Sequence, residues 1–148
     1  MADPRRPIYS ILLAHHPRVH AHRCLWIPFG PYKIALCSRC LGLYPTLATI
    51  LALQIFLHVS QTAGVVDWVV VLSLSAPALF DWGAGHLGWR GKNGLRFATG
   101  ALLGVALGRS AYLYLVDSLN ELFWVQLALL AGGALAFEIV RRFDLSDY

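Results

Sequence analysis

The side chains best suited to chemistry in this sequence are cysteines and histidines gathered near the N-terminus. All three cysteines and four of the six histidines fall between positions 15 and 40, namely His15, His16, His20, His22, Cys24, Cys37 and Cys40. Thiolates and imidazoles are the ligands that zinc prefers, and four of them close a structural zinc site. Where thiols stay reduced, such a cluster indicates metal binding before disulfide formation.

The spacing of the cysteines is compatible with one tetrahedral zinc site. Cys37 and Cys40 are separated by two residues, as in pairs that hold one side of a zinc ion, and Cys24 lies 13 residues before Cys37. The segment between Cys24 and Cys37 contains two short extended runs around a turn at Phe29-Gly30-Pro31, so a hairpin would bring Cys24 beside Cys37. We expect the fourth ligand to be a histidine, with the candidates His15, His16, His20 and His22.

The same cysteine pair also permits redox chemistry. Cys37 and Cys40 immediately precede an apolar segment that we predict to be a helix, and a helix N-terminus stabilises a thiolate. A thiol redox protein that faces the cytosol is therefore an alternative to a zinc site.

A second group of reactive side chains lies between positions 81 and 96. Asp81 and His86 are a possible acid and base, while Arg90, Asn93 and Arg96 could hold an anion. Together with a metal that activates water, this set would suit an enzyme that acts on an anionic, lipid-linked substrate. This is the second alternative function that the sequence suggests.

The elements that must position these residues are transmembrane helices. Of the 148 residues, 57% are apolar and 14% charged, compared with about 45–50% and about 25% in soluble domains. The low charge also excludes a disordered chain. Apolar stretches at 41–58, 63–80, 97–116 and 122–140 are each long enough to cross a bilayer. We predict an all-α membrane protein, with a Cys/His metal-binding cap at 1–40 and a four-helix transmembrane bundle at 41–148.

The basic residues predict the orientation of this bundle. Eleven of the twelve Lys and Arg residues lie before the first span, between the second and third (81–96), or after the fourth. By the positive-inside rule, both termini and the Cys/His cluster are cytoplasmic. The net charge of +4 then reflects orientation in the lipid bilayer, and we expect no nucleic-acid partner. Because the cytosol is reducing, the cysteines are expected to bind a metal.

Two features inside the spans predict contacts. Gly100, Gly104 and Gly108 form a smooth face on the third helix, which could pack inside the chain or against a second copy or another subunit. Asp67 and Arg109 are charges within apolar segments at similar depth. An uncompensated charge there is unfavourable, so we predict that they form an ion pair.

Two motifs resemble those of a known family. The segment Cys37-Ser-Arg-Cys-Leu-Gly-Leu-Tyr44 is similar to the pattern Cys-x-Arg-Cys-x-Gly-x-Tyr of a family of small prokaryotic membrane proteins of unknown function. The similarity resumes at Asp81, Leu87-Gly-Trp-Arg90, Asn93, Arg96, Thr99-Gly100 and Gly104. The resemblance implies a prokaryotic inner-membrane protein with a cytoplasmic cysteine motif, and it implies no activity.

The sequence departs from this family pattern at three places. Members usually open with Cys-His where this chain has His15-His16, Cys24 stands where a small hydroxyl residue is more usual, and His86 replaces Gln. Exchange of Cys for His preserves zinc binding but removes a redox thiol, so the first departure favours a metal. Our leading hypothesis is a structural zinc site in an accessory, assembly or interaction subunit of a membrane complex.

Overall fold

The structure, a computed structural model, describes residues 24–29, 32–86 and 91–144. Within these ranges a two-stranded hairpin precedes four helices. The strands are β1 (Cys24–Phe29) and β2 (Tyr32–Cys37). The helices are α1 (Ser38–Phe56), α2 (Val65–His86), α3 (Asn93–Val116) and α4 (Glu121–Asp144).

The hairpin has the register that brings its terminal cysteines together. β1 and β2 are antiparallel, with Cys24 opposite Cys37 and Phe29 opposite Tyr32. The side chains of Cys24 and Ala35 are buried against each other in a small core. β2 continues into α1 without an intervening loop, because Ser38 directly follows Cys37. The hairpin is therefore attached to the end of the bundle at which α1 begins, called the hairpin end below.

The four predicted spans are present as helices long and apolar enough to cross a membrane, with mean hydropathy between 1.3 and 1.8 over the described residues. Their ends differ from the prediction. The segment 81–96, assigned to a loop, is helical through His86, and α3 already begins at Asn93. The reason is that Asp81 is 5% exposed and contacts its neighbouring helices, so this charged residue continues the helix instead of ending it at the membrane surface.

The third helix is central in the bundle. α3 packs most extensively against α1, less against α2 and least against α4. α4 packs mainly against α2. In the most apolar stretch of each helix, 44% of the residues of α3 but only 6% of those of α4 are buried. Among the described residues, Val71, Ala106, Leu113 and Leu122 form a buried apolar cluster between the helices.

The glycine face of α3 is occupied by α1 of the same chain. A Cβ atom on Gly100 would lie 2.3 Å from the carbonyl oxygen of Arg39, and one on Gly104 would lie 2.6 Å from that of Leu43. A Cβ on Gly108 would come within 2.9 Å of Ile50. Of the alternatives that the sequence leaves open for this face, the structure shows the internal one, because α1 of the same chain packs against it.

A buried polar network attaches α4 to the bundle. The Ser110 hydroxyl donates to Oε1 of Gln126 at 2.5 Å, and Nε2 of Gln126 donates to the Ser75 hydroxyl at 2.9 Å. Ser75 donates in turn to the Val71 carbonyl at 2.7 Å. The residues Ser75, Ser110 and Gln126 are fully buried. Side-chain hydrogen bonds therefore connect α4 to both α2 and α3.

Candidate functional site

The three cysteines lie at the junction between the hairpin and α1. Cys24 and Cys37 are paired across the strands, a position at which Cβ atoms are about 4.5–5.5 Å apart. Cys37 also occupies the N-cap position of α1, and Cys40 follows one helical turn later, with its thiol in hydrogen-bonding contact with Cys37. The junction of strand and helix thus gathers three residues that the sequence spreads over 17 positions.

All three cysteines are reduced, with no disulfide bond between them. Cys24 and Cys37 are buried, with 6% and 7% exposure, and Cys40 is partly exposed. Burial raises the pKa of the Cys24 thiol, and the neighbouring Cys37 raises it further. Cys24 is therefore neutral near pH 7 and needs a compensating positive charge to become a thiolate.

The predicted metal ligands are only partly brought together. Cys37 is adjacent to both Cys24 and Cys40, whereas His15 and His16 lie outside the described residues. Among the described residues, no group of three or more His, Cys, Asp and Glu side chains is arranged to hold a metal ion. The three soft sulfur donors fit zinc by their chemistry, and a closed site needs a fourth ligand from elsewhere.

A buried ion pair lies next to the cysteines at the hairpin end. The guanidinium of Arg39, between Cys37 and Cys40 in sequence, donates to Oδ2 of Asp81 on α2. The Asp81 side chain is 3% exposed. The hydroxyl of Thr99 on α3 contacts the same carboxylate oxygen at 3.4 Å. Asp81 therefore lies where α1, α2 and α3 meet.

Parts of this ion pair lack partners within the described chain. Oδ1 of Asp81 and Nε of Arg39 are buried and have no hydrogen-bond partner among residues 24–29, 32–86 and 91–144. A carboxylate so enclosed and paired with a guanidinium is poorly placed to contact a substrate. The geometry favours a structural role for Asp81 over the predicted role as an acid or base.

The other predicted ligand-binding residues do not form an open anion site in the described part of the chain. Arg96 is 4% exposed and its carbonyl accepts a hydrogen bond from Thr99. Asn93 is partly buried as the first residue of α3. Arg90 lies outside the described residues, as does the side chain of His86.

The predicted partners Asp67 and Arg109 are brought together at the opposite end of the bundle. Nε of Arg109 donates to Oδ1 of Asp67 at 2.8 Å. Arg109 also donates to the side chain of Gln54 at 3.1 Å and to the Ser60 carbonyl at 3.0 Å. These contacts make Arg109 a structural link between α3, α2 and the connection after α1.

Two residues of the first motif were overlooked as structural elements. Arg39 was counted only among the charges that set orientation, yet it joins α1 to α2. Gly42 allows α1 and α3 to touch, since a Cβ there would be 2.2 Å from the Phe97 carbonyl oxygen. Their place in the Cys-x-Arg-Cys-x-Gly motif was the sequence signal that could have indicated these structural roles.

A bundle of helices able to span a membrane, with a cysteine hairpin at one end, defines an integral membrane protein. A family model described as "Predicted membrane protein (DUF2085)" matches residues 19–109. The chain belongs to this family of predicted membrane proteins. The match covers the hairpin, both ion pairs and the glycine face, and it ends before α4. No curated protein and no solved structure matches the chain.

Proposed function

We propose that this multi-pass protein of the prokaryotic inner membrane binds zinc through Cys24, Cys37 and Cys40 on its cytoplasmic face. The zinc site would fix the N-terminal segment across the hairpin end, and the resulting cap would serve as a contact surface of an accessory or assembly subunit. The observation that carries this proposal is the position of Cys37, which lies opposite Cys24 in the hairpin and one helical turn before Cys40.

Zinc provides what this part of the chain lacks. A two-stranded hairpin is at best marginally stable alone, and the buried apolar residues here are few. Zinc stabilises thiolates despite burial, so its binding would offset the raised pKa of Cys24. His15 or His16, in the preceding segment, supplies the fourth ligand in this proposal.

The surface of the hairpin supports a role in contacts. Leu25 and Trp26 are 37% and 47% exposed, although they lie outside the membrane-spanning helices. Exposed apolar side chains next to the bundle favour contact with another subunit or with lipid headgroups. A zinc site would hold them in a fixed position.

The decisive experiment is elemental analysis of the detergent-purified protein with a count of reactive thiols. We expect one zinc per chain and masked thiols in the wild type. Cys37→Ser should lose the metal, whereas the control Asp117→Asn, an exposed change at the opposite end, should retain it. A metal-free wild type with a reactive Cys37 at neutral pH would instead favour thiol redox chemistry.

The cytoplasmic position of the site can be tested separately. Cys40 is the reporter because it is the partly exposed cysteine of the three. In intact cells, a membrane-impermeant maleimide should leave it unlabelled because it faces the cytosol, whereas after permeabilisation and chelation of the metal it should react. A cysteine introduced at Ser118, which is exposed in the connection between α3 and α4, should react. The reverse pattern would overturn the proposed orientation.

A further inference from the structure

We propose that Asp81 is a positioning residue for the cysteine cluster and acts on it through Arg39. This inference rests on the proposed zinc site, because it states what holds the ligands in place. It assigns to the Arg39–Asp81 pair a role in preorganising Cys37 and Cys40.

The first turn of α1 is stabilised in part by contacts from other helices. Its N-cap residue, Cys37, makes no side-chain capping hydrogen bond, and the first turn contains no acidic residue. Side-chain caps and acidic first-turn residues normally limit fraying of a helix N-terminus. Cys40 lies within this turn, so fraying would separate the two sulfurs.

Two contacts replace the missing cap, and both involve Arg39. Its guanidinium pairs with the buried carboxylate of Asp81 on α2. Its carbonyl oxygen lies so close to Gly100 on α3 that a Cβ there would be 2.3 Å away. Side chain and backbone of the residue between the two cysteines are therefore fixed by two different helices.

One oxygen of this carboxylate contacts residues of two different helices. Thr99 on α3 contacts the oxygen that pairs with Arg39, at 3.4 Å. Because only 3% of the Asp81 side chain is exposed, water cannot readily replace Arg39 as its partner. Loss of the charge at Asp81 would free the Arg39 side chain to move, and with it the first turn of α1.

The test uses two ion pairs that join helices of this bundle. Asp81→Asn removes the pair at the hairpin end, and Asp67→Asn removes the pair with Arg109 at the opposite end. In each variant, maleimide labelling rates of Cys40 are measured after metal removal, and zinc affinity is measured by competition with a chelator. Changes to groups that orient metal ligands typically weaken metal binding about 10–100-fold.

We expect Asp81→Asn to weaken zinc binding and accelerate Cys40 labelling by at least about tenfold, while Asp67→Asn changes neither, even if it lowers the melting temperature. Arg39→Gln combined with Asp81→Asn keeps a neutral hydrogen bond and should restore part of the protection. If Asp81→Asn does not fold, Arg39→Lys is used instead, because it retains the positive charge but lacks the planar guanidinium. Its zinc affinity and Cys40 labelling rate should lie between those of the wild type and those expected for Asp81→Asn.

The outcomes distinguish this inference from the proposed zinc site. Wild-type protein without zinc, but with Cys40 labelling that depends on Asp81 alone, would reject the zinc site and support the positioning role. Normal zinc affinity and labelling in Asp81→Asn would reject the positioning role and leave the zinc site standing. Equal effects of Asp81→Asn and Asp67→Asn would also reject it, because general loosening of the bundle would then suffice.

Discussion

Arg109 reaches both carboxylate oxygens of Asp67 from the neighbouring helix. Its Nε lies 2.8 Å from Oδ1, and its Nη2 lies 3.1 Å from Oδ2. Such a two-point contact fixes both distance and orientation between α2 and α3. A third contact, from Arg109 to the Ser60 carbonyl, ties the connection after α1 to the same residue.

Asp67→Asn should lower the free energy of unfolding by about 2 kcal/mol, because it leaves the Arg109 charge uncompensated where only 12% of that side chain is exposed. Reversible denaturation in mixed micelles measures the change. Glu121→Gln, an exposed acidic residue at the same end, is the control and should cost less than about 1 kcal/mol. Equal losses in the two variants would contradict a specific role for the pair.

Gly104→Ala should destabilise the bundle by about 1–3 kcal/mol, since the new methyl group would meet the Leu43 backbone, which cannot rotate away. Gly132→Ala is the matched control, because nothing lies within 4 Å of a Cβ there. Helix propensity should make this control neutral or more stable by up to about 1 kcal/mol. Melting temperatures of both variants decide the prediction, and equal shifts would count against the close packing of α1 on α3.

Gln126→Leu should weaken the attachment of α4, because Ser75 and Ser110 lose their shared partner in a site closed to water. Hydrogen bonds between membrane helices contribute about 0.6 kcal/mol each on average, so we expect a loss near 1 kcal/mol. Faster proteolysis or hydrogen exchange in α4, with α1 unaffected, would be the signature. Leu127→Ala, on an exposed position of the same helix, serves as the control.

The thiol of Cys24 should react slowly with alkylating reagents at pH 7–8 in metal-free protein. Burial, with a smaller effect of Cys37, raises its pKa, so the thiolate fraction is below that of an ordinary cysteine. The neutral thiol stabilises the fold below the usual cysteine pKa of about 8.5, and this contribution is lost as pH rises through the higher folded value. Alkylation rates from pH 7 to 10 test this. A rate that levels off below pH 8.5 would contradict it.

The sequence was sufficient for features that depend on composition and local pattern. Runs of apolar residues predicted all four spans, and the turn after Phe29 predicted the hairpin. The pairing of Asp67 with Arg109 was inferred because charges deep in apolar segments need partners. For these two residues, the position within an apolar segment was enough to predict that the side chains are buried.

Other features depend on tertiary contacts that the sequence does not specify. Asp81 and Arg39 lie near helix ends, where charges are commonly solvated, so their pairing left no local signal. Because Asp81 was expected to be solvated at the membrane surface, the predicted span stops at residue 80. In the structure α2 continues through one more glycine-containing turn to His86. The glycine face of α3 indicated a close approach, but only the structure identifies α1 as the helix that fills it.

The packing of α1 on α3 also sets an order for biogenesis. Because α1 rests mainly on α3 and has far fewer contacts with α2, its final neighbour is synthesised only after α2 and the following connection have left the ribosome. The first helix is therefore inserted before the glycine face on which it packs has been synthesised. The close contact between the Arg39 carbonyl and Gly100 consequently forms only once the third helix has been inserted.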